Sequence, residues 1–201
     1  MDFSAFRPFV SLGFGHIIAS GAMDHILFLS ALAAIYRWNE WRQALVVVTA
    51  FTVGHSITLS LAVLAPRLLP PSSLVEFFIP ITIIATGIEN LLTRRAVTRG
   101  RWWRRGVLAS AFGLVHGAGF AGYLSQVLPG SIGIPLLGFN IGLELGQGLV
   151  LCAAMVLLTG LDRAMATPTR GDAAAFQLRV AAVSLLVAIM GGVWAVERVP
   201  W

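Results

Sequence analysis

The sequence predicts an all-α polytopic membrane protein, a single six-helix bundle with both termini on the non-cytoplasmic side. Three observations carry that prediction. Of 201 residues, 57% are hydrophobic and only 11% are charged, where a soluble domain carries roughly 25% charged residues. Apolar runs of about 20 residues recur, each the length needed to cross a ~30 Å hydrocarbon core. The 14 basic residues gather between those runs, mostly on one side. A disordered chain, a disulfide scaffold and a large soluble catalytic domain are excluded on the same grounds. One cysteine, Cys152, forbids an intrachain disulfide and a thiolate cluster. Met1 to Val10 is too short and mixed for a cleavable signal peptide.

The spans read, in order, 12–36, 44–64, 74–92, 107–128, 135–158 and 179–196. The first stops at Arg37 and the second at Pro66, Pro70 and Pro71. The third stops before Arg94 and Arg95, the fourth at Pro129, Gly130 and Gly133. Pro168 and Gly171 break the chain after the fifth. No connector is long enough to fold alone, so residues 1–201 form one domain.

Arginines near span ends stay cytoplasmic. The loops after spans one, three and five hold Arg37, Arg42, Arg94, Arg95, Arg99, Arg101, Arg104, Arg105, Arg163 and Arg170, with Arg179 at the inner end of span six. The other side has only Arg7, Arg67 and Arg198. Trp38, Trp41, Trp102 and Trp103 mark the inner interface, Trp194 and Trp201 the outer. The net charge of +5 therefore reads as topology and contact with membrane lipid headgroups, with no nucleic acid as partner.

All four histidines, His16, His25, His55 and His116, fall inside spans. Asp24, Glu89, Asn90, Asn140, Glu144 and Gln147 join them. An ionisable group at membrane depth costs roughly 2.5 kcal/mol or more on insertion scales, so lipid solubility alone does not select this set. Counting ~1.5 Å per residue inward from the outer span ends puts Asp24 and His25 ~18–20 Å deep, His55 and Glu144 ~14 Å and His116 ~16 Å. His16 (~6 Å) and Asn140 (~8 Å) lie above them, Glu89 and Asn90 (~22–24 Å) below. On the fifth span Asn140, Glu144 and Gln147 share a face, and Gly138, Gly142 and Gly146 form a separate small-residue stripe suited to close helix packing. In the first span His16, Ser20 and Asp24 share a face while His25 points ~100° away. Asp24 and His25 reach one site only if the helix is irregular near Gly21; otherwise they serve different shells.

Imidazoles with carboxylates are ligands for Zn²⁺, Ni²⁺, Co²⁺ or Cu²⁺, and the lack of thiolate argues against Cu(I). The bland alternative makes His16, and His55 with Ser56 beside it, interhelical hydrogen-bonders. Glu89 and Asn90 read equally well as a helix-end pair, and Glu76 as a solvated end residue.

The blocks Gly15-His16, Gly21, Asp24-His25 and Phe28, then Thr49 to Thr52 running to His55-Ser56-Ile57-Thr58-Leu59, resemble a known family. So do Val75-Glu76, Glu89-Asn90-Leu91-Leu92, Gly113 to Gly117 with Gly119-Phe120-Ala121, and Gly138 to Gln147. Over residues 13–147 the chain is similar to the HupE/UreJ-type hydrogenase and urease accessory membrane proteins. Seven residues between His16 and Asp24, and no second His after Gly117, place it with a divergent branch. The resemblance implies a six-helix bacterial inner-membrane protein associated with nickel or cobalt uptake for metalloenzyme maturation. It implies His16, Asp24 and His25 as the metal-selecting motif, faced by His116 and Glu144.

The leading expectation is a permease or metal-binding accessory protein for a divalent transition metal (nickel, cobalt or zinc). Its metal residues are His16, Asp24, His25, His55, His116 and Glu144, and Ser56, Glu89, Asn90, Asn140 and Gln147 form a supporting polar track. A homo-oligomer is compatible with the sequence. The alternative is an intramembrane zinc-dependent hydrolase, with Glu144 or Asp24 as general base. A bis-histidine haem protein ranks last, because paired carboxylates suit a cation better than an apolar macrocycle.

Overall fold

A computed structural model describes residues 6–19, 21–93, 102–127, 133–166 and 171–200. Ser20, Arg94, Arg95, Arg99, Arg101, Pro129, Gly130, Pro168, Arg170 and Trp201, named above, lie outside them. The described residues form seven α-helices and no strand: α1 (Phe6–Ile18), α2 (Met23–Ala34), α3 (Trp41–Leu64), α4 (Ser72–Thr93), α5 (Trp102–Val127), α6 (Gly133–Met165) and α7 (Asp172–Glu197). Short 3₁₀ turns at Trp38–Glu40 and Pro66–Leu68 flank α3.

The helices α3 to α7 are each long and apolar enough to span a membrane, and α1 and α2 pass that test only together. This is a multi-pass membrane protein. The expected first span is two helices bent by 71°, the irregularity near Gly21 that the sequence left open. An Ala22 N–H to Ala19 C=O bond of 2.9 Å closes the break between the two helices. Two other boundaries differ from the apolar runs. The sixth span begins at Asp172 rather than 179, with Asp172 in its first turn, where a negative charge favours the helix dipole. The fifth runs on to Met165, past the end of its apolar run. Hydropathy marks the hydrocarbon core, and a helix need not stop at its edge.

The main packings are α3 on α5, α1 on α6 and α4 on α7. Glycines let the first two approach closely. A Cβ on Gly142 would run into the Val10 carbonyl, one on Gly54 into the Ser110 carbonyl, and one on Gly117 would lie 3.0 Å from His55 Cα. The expected stripe Gly138, Gly142 and Gly146 thus packs against α1. Leu149, Leu157, Val53, Ile57, Leu185 and Ile189 point outward to where lipid would lie.

Arg179, expected at the inner end of the sixth span, is buried there. It is 3% exposed. Its Nη1 donates to Asp162 Oδ2 (2.7 Å), and its Nε and Nη2 donate to the Ala34 and Tyr36 carbonyls at 2.9–3.2 Å. These are carbonyls left over where α2 ends inside the protein. Asn90 does the same one turn earlier, donating to Ala31 C=O at 2.6 Å. Together they anchor α2 to α4, α6 and α7.

Candidate metal centre

The bend between α1 and α2 builds the site. On a straight helix His16 and His25 would stand about 13.5 Å apart; here their ring centroids are 4.8 Å apart. His16 comes from the end of α1, Asp24 and His25 from the first turn of α2, His55 from the middle of α3 and His116 from α5. Ring centroids lie 5.8 Å apart for His16 and His55, 5.1 Å for His25 and His116, and 6.2 Å for His25 and His55. Side-chain donors fall into two sets that share His25: His16, His25 and His55, and Asp24, His25 and His116. Within each set the donor atoms lie within 4.8 Å of one another.

The hydrogen bonding is one-sided. Asp24 Oδ1 accepts from the His25 backbone N–H (2.8 Å) and from His25 Nδ1 (2.9 Å). An ionised carboxylate only accepts, so Nδ1 is the donor in this pair. His116 Nε2 pairs with Thr82 Oγ1 at 3.0 Å. Five further ring nitrogens, His16 Nε2, His25 Nε2, both of His55 and His116 Nδ1, are buried with no hydrogen-bond partner. A buried polar group left unsatisfied costs about 1–3 kcal/mol, and a cluster of them fits a bound ion or water.

Aromatic rings wall the cluster. His16 packs on Phe120 (4.1 Å between centroids), and Phe51 lies 5.2 Å from His116 and 6.1 Å from both His25 and His55. A cavity of about 870 Å³ reaches His16, Asp24, His25 and His116, with Glu76, Tyr123 and Arg198 also lining it. Pro8 near the start of α1 lines it too, so residues from both ends of the described chain contribute to its wall. His55, at 0% exposure, forms the closed back of the site.

The structure separates the other expected residues from the histidines. Glu144 pairs with the Thr49 hydroxyl and belongs to neither donor set. Gln147 Oε1 accepts from Thr52 Oγ1 and Asn140 pairs with Ser56 Oγ, each at 2.7 Å. These three pairs form a polar seam between α3 and α6. Helical phase turns the face inward as expected, but it meets α3 rather than the imidazoles. Glu89 and Asn90 also stand apart, in a cluster with Arg105. Arg105 lies 3.3 Å from Glu89 Oε1, 3.2 Å from Asn90 Oδ1 and 2.8 Å from Thr93 Oγ1.

Depth counting misplaced His16 because it assumes an unbroken rod. Two contributors had no clear sequence signal. Thr82 is one hydroxyl in an apolar span, where back-bonding to its own helix is the ordinary use. Glu76, expected to be a solvated end residue, is exposed and lines the cavity.

No curated protein and no solved structure matches the chain. A family model described as HupE / UreJ protein matches residues 2–198, taking in the sixth span as well as the blocks in the first five. The chain belongs to the HupE/UreJ family.

Proposed function

We propose that the protein is a membrane permease or metal-binding accessory protein for a divalent transition metal of the nickel or cobalt type, acting in the bacterial inner membrane. The observation that carries this reading is the cluster itself. Four imidazoles and one carboxylate from α1, α2, α3 and α5 converge in two overlapping donor sets, with five ring nitrogens unpartnered. Borderline nitrogen donors favour Ni²⁺, Co²⁺ or Zn²⁺ over the hard cations that oxygen cages hold.

A hydrated cation would enter the cavity, exchange water for imidazole nitrogens, and have its charge partly offset by Asp24. The arginine bias supports a cavity that opens on the non-cytoplasmic side. On the far side of the histidines, Phe28 packs on Phe51 (centroids 4.8 Å apart) and Phe112 (6.4 Å). Beyond them a void of about 20 Å³ borders Glu89 and Arg105. Release inward needs that aromatic layer and the Arg105 cluster to part. Supply to metalloenzyme maturation is what family membership suggests for the ion's destination. The hydrolase alternative gains no such support, because Glu144 pairs with Thr49 and Asp24 Oδ1 is engaged by His25.

The test is calorimetric titration of the purified protein with Ni²⁺, Co²⁺ and Zn²⁺. About one ion per chain should bind, and His116→Ala should remove binding while leaving folded protein. A wild-type protein that binds none of the three, or a His116→Ala variant that binds like wild type, overturns the reading.

A further inference from the structure

Thr82 is 6% exposed and sits on α4, opposite His116 on α5. Its Oγ1 lies 2.7 Å from the Ile79 carbonyl and 3.0 Å from His116 Nε2. A carbonyl oxygen only accepts, and a threonine hydroxyl has one hydrogen to give. That hydrogen goes to Ile79, which leaves the Thr82 oxygen as an acceptor facing His116. With that assignment His116 Nε2 is the donor to Thr82, and in the neutral ring Nδ1 keeps the free lone pair. Nδ1 is buried and has no protein partner, in the ring that groups with Asp24 and His25.

We propose that Thr82 is a positioning residue of the metal centre. Accepting from His116 Nε2–H while donating to Ile79, it fixes the tautomer and ring orientation that present Nδ1 to the cation. The α4 helix, which contributes no ligand, thereby takes part in the site. Asp24 does for His25 from the opposite ring position what Thr82 does for His116: His25 is protonated at Nδ1 and offers Nε2, and His116 is protonated at Nε2 and offers Nδ1. Fixing a ligand ring through its second nitrogen is worth about 10–100-fold in metal affinity.

This inference rests on the proposed metal reading, and its test separates the two. Nitrogen NMR of metal-free, histidine-labelled protein should show His116 as the Nε2–H tautomer alone. Thr82→Val, close in size but without the acceptor, should loosen that assignment into a mixture and weaken Zn²⁺ binding by about 10–100-fold. Thr82→Ser should restore both. A proton on His116 Nδ1 in the metal-free wild type overturns the inference whatever the protein binds. So does Zn²⁺ affinity in Thr82→Val equal to wild type. If Thr82→Val does not fold, the wild-type spectrum and the Ser variant still decide. Absence of metal binding in wild type beside the expected tautomer sinks the functional reading and leaves the hydrogen-bond assignment standing.

Discussion

Two of the polar clusters buried among the described residues are built on opposite terms. Around Arg179 the guanidinium reaches Asp162 and two backbone carbonyls. Around His25 five imidazole nitrogens meet nothing. Satisfied polar groups in a low-dielectric interior rigidify a fold, and unsatisfied ones weaken it. The Arg179 cluster is therefore a fastening for α2, while the histidine cluster makes sense through something it receives. The two should respond oppositely to mutation.

The largest contrast comes from breaking each in turn. His116→Ala should lower Zn²⁺ or Ni²⁺ affinity by at least a hundredfold, with a smaller fall in melting midpoint than Arg179→Ala: it loses ring packing on Phe51 and Phe28 but removes an orphaned nitrogen and leaves Thr82 bonded to Ile79. Arg179→Ala should cost about 3 kcal/mol, as loss of a buried ion-pair partner does, and its surviving folded fraction should bind metal normally. Calorimetry with thermal unfolding in detergent reads both.

Gly113→Ala comes next and should touch both properties. Its new methyl would press on the Phe51 carbonyl and lie 2.9 Å from His55 N. Overpacking of that kind costs about 1–3 kcal/mol, and moving His55 should weaken metal binding as well. A variant that keeps wild-type affinity would show that the back of the site tolerates displacement.

Thr52→Val sharpens the comparison from the polar seam. It unpairs Gln147 and should cost about 0.6 kcal/mol, the typical worth of an interhelical hydrogen bond in a membrane, with metal affinity unchanged. A clear loss of metal binding would mean the seam and the histidines are one system. The smallest effect belongs to Glu76→Gln at the cavity. It should slow metal capture at low salt with little change at high salt, and equal slowing at both would rule out a steering role.

Which parts of this were legible in the sequence follows from what each depends on. The spans were readable because lipid demands about 20 apolar residues and a helix throughout. That the intramembrane histidines gather was readable because buried imidazoles need partners, but their split into two sets sharing His25, with His55 in one and His116 in the other, was not. The close place of His16 was not, since it turns on a bend at Ala19–Ala22 for which Gly21 was the only hint. Glu144 was expected among the histidines from depth and phase, but phase says only that a face turns inward. The burial of Arg179 against the end of α2 was not legible, because the early start of α7 at Asp172 is not written in hydropathy. Thr82 left no signal beyond a hydroxyl in an apolar run.

The central claim is that imidazoles from separate helices bind one cation. X-ray absorption at the zinc edge of the loaded, purified protein tests it most directly. The account predicts a first shell of nitrogen and oxygen at about 2.0–2.2 Å, with outer-shell scattering from at least two imidazoles that diminishes in His116→Ala. A shell of oxygen alone, or an imidazole signal unchanged in His116→Ala, would contradict it.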